Sequence, residues 1–151
     1  MEYNVFTFKP SHMKKFHPQK MQEDEWEAYL LLDEQKDIGG WLDDKKRTIT
    51  VEIDQEIVSI MGVLPLPNGG GHLWLFLNGD VKGSGLRIVT KCVEGALQGL
   101  KEVGYEWVQT PVKADFTQGK RWAKLLGFTE TEEEEDLMEN GIMYTYWTRV
   151  L

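Results

Sequence analysis

The chain has 151 residues, a length suited to one globular domain with one core. Apolar residues make up 41% and aromatics 11%, with six Trp, which excludes an intrinsically disordered chain. A formal net charge of −8, from 25 acidic against 17 basic residues, argues against direct nucleic-acid binding, because phosphate contacts need clustered Lys and Arg. The plainest reading of that charge is solubility; the sharper one is an acidic surface that imitates DNA and takes a basic host protein. Cys92 is the only cysteine, so no internal disulfide can form and cysteine knuckles for a metal are absent. No basic stretch leads into an apolar segment at Met1-Glu2-Tyr3-Asn4, and apolar runs such as Leu73–Leu77 are far too short to cross a bilayer. A cytoplasmic protein with no membrane span and no metal is expected.

Tyr3–Phe8 is a β-branched and aromatic run stopped by Pro10, and reads as a starting or edge strand. Ser11 is placed to cap a short helical turn through Phe16, which Pro18 interrupts. From Glu23 the spacing of Trp26, Tyr29, Leu30 and Asp33 predicts an amphipathic helix ending around Ile38-Gly39-Gly40. The period then changes. Thr48–Ile53 alternates, Asp54-Gln55 makes a tight connection, and Glu56–Val63 is a second apolar strand, so the pair forms a hairpin. Pro65 to Gly71, with three consecutive glycines, is expected to be a loop outside any sheet. His72–Leu77 follows as a continuous apolar run, the mark of a strand buried on both faces.

After Asn78-Gly79-Asp80-Val81-Lys82-Gly83-Ser84-Gly85, a helix places Leu86, Val89, Val93, Ala96, Leu97 and Leu100 on one face and ends at Gly104. Tyr105–Val112 is a strand and Gln118–Leu126 a short helix stopped by Gly127-Phe128. Glu132–Asp136 reads as a solvated acidic loop. Ile142–Val150 is a last alternating strand, with Ile142, Tyr144, Tyr146, Thr148 and Val150 on one side, exposed enough to pair with a second copy. The order is that of one mixed α/β (α+β) domain over residues 1–151.

Two stretches carry chemistry. The first is a buried strand, a turn containing Gly83 and Gly85, and a long helix. Glycines let a ligand approach the backbone, and the first-turn N–H groups with the helix dipole favour a pyrophosphate. The second is a short helix ending in Leu125-Leu126-Gly127-Phe128, followed by an antiparallel strand. Together they resemble the GNAT superfamily, the Gcn5-related N-acetyltransferases, from about Thr48 to the end of the chain. A narrower likeness is to the GNAT-like internal virion proteins of short-tailed phages, carried by Ile57–Val63, Asn68–Gly71, Leu73–Leu77, Lys82–Lys91 and Trp107–Val112.

The resemblance implies a GNAT acyl-CoA N-acyltransferase fold, with a central, mostly antiparallel sheet flanked by helices. It implies that acetyl-CoA lies between the fourth and fifth strands, against backbone groups of Leu75, Phe76 and Leu77. Its pyrophosphate would rest on Val81, Lys82, Gly83, Ser84 and Gly85, with Arg87 adding positive charge. The family pattern Arg/Gln-x-x-Gly-x-Gly/Ala is departed from at Asp80, whose carboxylate repels a pyrophosphate. The family's usual acid, a Tyr, falls on Ala123, with Trp122 beside it, and its usual Asn falls on Phe116 or Asp115. His72 remains as a base by type, and Tyr144 or Tyr146 as a proton donor. The acceptor would be an amine on a small molecule or protein. If the fold has no catalytic role, the implied partners are phage or host proteins, and the chain would occupy the host cytoplasm or a virion.

Cys92 reads as a small core residue on its helix and Ser84 lacks a nucleophile-elbow context. His12 and His17 are too isolated to form a metal site.

Overall fold

The computed structural model describes residues 2–13, 15–27, 48–137 and 139–151. Its strands are β1 (Tyr3–Thr7), β2 (Thr48–Ile53), β3 (Glu56–Pro65), β4 (Gly70–Leu77), β5 (Trp107–Lys113), β6 (Thr129–Glu135) and β7 (Tyr144–Val150). The helices are α1 (Pro10–Met13), α2 (Ser84–Glu102) and α3 (Thr117–Leu125). The strands form one sheet in the order β1-β2-β3-β4-β5-β7-β6, a mixed α/β fold in which β4 and β5 run parallel. Contacts group the chain into two compact units, Met1–Val63 with Leu75–Val93, and Leu64–Trp74 with Glu94–Leu151.

In the first unit the β2–β3 hairpin turns on Asp54 and Gln55, both at positive φ (49° and 70°), the pair of conformations that matches the twist of two-residue hairpins. β1 pairs antiparallel with β2 from Tyr3↔Ile53 to Thr7↔Ile49, and all five of its residues are exposed. Val51, Ile60, Val89 and Val93 are buried to 1% exposure or less. An aromatic chain runs Phe16–Trp26–Phe76, each step an edge contact with ring centroids 5.0 Å apart. Residues 23–27 are helical, as expected; the remainder of that expected helix, including Tyr29, Leu30 and Gly39, lies outside the described residues.

In the second unit, β5 pairs antiparallel with β7 along its whole length, and β7 pairs with β6 on its other side. The Leu-Gly-Phe ending has a definite cause. Gly127 sits at φ +85°, its N–H donates to Lys124 O (3.0 Å), and Phe128 N–H donates to Ala123 O (3.0 Å). That is a Schellman motif: the left-handed residue closes the last carbonyls of α3 and turns the chain into β6. Arg149 Nη1 adds a bond to Leu126 O (2.8 Å), a cation at the negative helix end.

Four expectations are corrected. Gly70 and Gly71 are not loop but the first residues of β4, paired with Trp107 and Val108. The acidic run is not a solvated loop: Glu132–Glu135 belong to β6. Strand pairing to β7, helped by Thr131 Oγ1 donating to Tyr146 O (2.8 Å), overrides poor strand propensity, and an exposed edge strand is where charge is tolerated. The last strand, β7, is not an available edge, because β5 and β6 take both of its sides. It begins at Tyr144, so Ile142 lies outside it.

Candidate functional site

In the first unit, the turn after β4 is built as the glycine pattern predicts. Gly83 has φ +60°; among the described residues nothing beyond its chain neighbours and its own helix backbone lies within 4 Å of where a Cβ would stand, and its carbonyl accepts from Arg87 N–H (3.2 Å), so it caps α2. The first-turn N–H groups of a 19-residue helix therefore begin at Ser84 and Gly85, with no acidic residue among them. Lys82 and Arg87 are exposed on this turn and Val81 is half-buried. Asp80 is exposed, and its N–H is bonded to Asn78 Oδ1 (2.9 Å). With His12, Lys15, His17, Glu52 and Glu56 it lines a polar cleft of about 400 Å³.

The backbone of β4 has two edges. Asn78 N–H donates to Val58 O on β3 (2.8 Å), so by strand alternation Leu75 and Leu77 point their backbone groups away from β3. Those groups are engaged. The Gln22 side chain donates through Nε2 to Leu75 O (2.7 Å) and accepts at Oε1 from Leu77 N–H (2.9 Å). Gln19 N–H donates to Leu77 O (2.8 Å), and Pro18 and Asn78 form an antiparallel bridge. Gln22 carries no local sequence signal. Its partners are 53 and 55 residues away, and no periodicity marks it.

In the second unit, β4 pairs with β5 over Gly70–His72 and Trp107–Gln109. The stop after Gln109 is built into the sequence. Ala114 N–H donates to Met143 O and Leu151 N–H to Glu106 O (both 2.9 Å), so even-numbered residues of β5 exchange hydrogen bonds with β7. Residues 107, 109 and 111 therefore turn their backbone the other way, toward β4. Pro111 has no N–H to donate there.

His72 is half-buried, opposite Gln109 in register, with Gln109 Nε2 at 3.4 Å from Nδ1. Burial lowers its pKa from 6.5, so the imidazole is neutral at neutral pH. Tyr144 is fully buried. Tyr146 donates its hydroxyl proton to Glu135 Oε2 (2.6 Å), and burial together with Glu135 and Glu133 raises its pKa far above the usual phenol value. Ala123 is buried in α3 and offers no proton. Cys92 is half-buried and its thiol is pushed up by burial, so it is not an activated nucleophile. Among the described residues no group of three or more His, Cys, Asp or Glu side chains is placed to hold a metal, and no helix is long and apolar enough to cross a membrane.

The fold is similar to that of solved acetyltransferases, GNAT-family ones among them. A probable acetyltransferase from Staphylococcus epidermidis has a TM-score of 0.74 at 14% identity, over 99% of each chain. The ribosomal-protein-S18-alanine N-acetyltransferase of Escherichia coli has a TM-score of 0.70 at 9% identity, over 99% of this chain and 94% of that one. A GNAT-family acetyltransferase from Bacillus anthracis also scores 0.70, at 10% identity, over 98% and 94%. No protein-family model matches the sequence, and no curated protein does. The likeness is therefore one of fold.

Proposed function

We propose that the chain binds acetyl-CoA at the turn Val81–Gly85 and transfers the acetyl group to an amine of a small molecule or protein, with residues 1–151 acting as one domain. The observation that supports it is Gly83: a left-handed cap at the head of a long helix, uncrowded among the described residues, suits an anionic pyrophosphate. Lys82 and Arg87 offset the charge of Asp80. Solved structures of the same fold are acetyltransferases, one of them named for an alanine acceptor on a ribosomal protein.

In the transfer, the amine nitrogen attacks the thioester carbonyl, the C–N bond forms and the C–S bond breaks. The amine's proton goes to a base, and the thiolate takes a proton from an acid or from water. His72 is the proposed base, since its neutral imidazole has a lone pair to give. For that lone pair to be on Nε2, Nδ1 must carry the proton, and Gln109 must turn its Oε1 toward the ring. Tyr146 is a poor acid while its proton is held by Glu135, so the proposed source of the leaving thiolate's proton is Tyr144 or water.

A second reading is favoured by the buried Ala123 and the engaged Tyr146: the fold serves as a binding protein without turnover, as a phage virion or host-directed protein would. Calorimetric titration with acetyl-CoA tests the first. Saturable heat, lost on bulky replacement of Gly83, supports the first; no heat at high micromolar acetyl-CoA rejects it.

A further inference from the structure

A primary amide that donates to one backbone carbonyl and accepts from the N–H two residues on makes the contacts of a residue in a neighbouring strand. Gln22 does this to Leu75 and Leu77, and its side chain is buried, at 9% exposure. Its orientation is fixed by chemistry. Leu77 N–H needs an acceptor and Leu75 O a donor, and Gln19 Nε2 adds a second donor to Gln22 Oε1 (2.9 Å). The segment is anchored as well, by Phe16 against Trp26 and Trp26 against Phe76.

We propose that Gln22 is an internal stand-in for the pantetheine arm, so that acetyl-CoA enters only by taking over the two hydrogen bonds Gln22 makes to the β4 edge. The inference rests on the acetyl-CoA reading above. The pantetheine arm is an extended chain with two secondary amides, which suits the same alternating edge. Its binding exchanges one set of buried hydrogen bonds for another, so the affinity of the site is set by how readily Gln22 leaves. Gln22 is in this sense an affinity-determining residue and not a catalytic one.

The test compares wild type with Gln22→Met, which keeps the volume and removes both hydrogen bonds, by titration with acetyl-CoA. Removing the competitor is expected to tighten binding about tenfold, the scale of one to two net hydrogen bonds. Binding by Gln22→Met alone supports the same conclusion. If wild type binds and Gln22→Met binds equally or more weakly, the stand-in idea fails while the acetyl-CoA reading survives. If neither binds at millimolar ligand, both fail. Wild-type protein gives a check that needs no variant: the Gln22 side-chain amide resonances must shift as acetyl-CoA saturates the protein. Saturation that leaves them unmoved overturns the proposal.

Discussion

The indole of Trp107 lies directly on the bare Cα of Gly70: a Cβ built at Gly70 would stand 2.2 Å from Trp107 Cζ2 and 2.4 Å from Cε2. The indole Nε1–H reaches back to Asn68 O (3.2 Å), closing the turn that leads into β4. This explains why glycine, otherwise a poor strand former, begins a strand here. Gly70→Ala must push the ring or the strand aside. It is expected to cost about 1–3 kcal/mol, read as a lowered urea midpoint with the slope unchanged.

Ser59 is fully buried in β3, opposite Val51, and among the described residues its hydroxyl is the one buried side-chain polar group with no hydrogen-bond partner. Ser59→Ala removes a desolvated hydroxyl without opening a sizeable cavity. Thermal unfolding should show unchanged or increased stability, by up to about 1 kcal/mol. A clear loss would mean that the hydroxyl is bonded in solution.

His72 carries a pH signature. Its folded pKa lies below its ordinary value of 6.5, so the unfolded chain binds the proton more tightly. Its contribution is fully present above pH 6.5 and is lost as pH falls through the folded value. His12 is shifted the same way, by burial first and then by Lys9 and Lys15, so the wild-type slope contains both. His72→Asn should therefore lose less stability than wild type between pH 7.5 and 5.5 in urea titrations, with the His12 share left over. Equal slopes would show that His72 is not desolvated.

Tyr146 and Glu135 predict a late-titrating phenol. The folded pKa is raised, so the stability it contributes is present below the ordinary phenol value of 10 and is lost as pH rises through the folded one. Absorbance titration at alkaline pH should show a late phenol step. Glu135→Gln should bring that step down, and Tyr146→Phe should remove it.

Much of the fold was legible in the chain. The alternating hairpin, the apolar run of β4, the α2 face of Val89, Val93 and Leu97, and the Gly127 stop are local patterns, set by side-chain periodicity and by which residue tolerates a left-handed backbone. The glycine turn at Gly83 also stands in the sequence as a chemical fact about a single residue.

What tertiary structure alone decided is of another kind. Gly70 and Gly71 became strand because Trp107, from far along the chain, covers the first of them. Glu132–Glu135 became strand because β7 supplied a ladder, although those side chains bury nothing. Gln22 reached Leu75 and Leu77 across more than fifty residues, through a hydrogen-bonding choice that leaves no periodic trace. Local patterns determine which elements form. Only the folded backbone determines which polar groups find one another, because the free energy of a buried hydrogen bond depends on a partner the sequence does not place nearby.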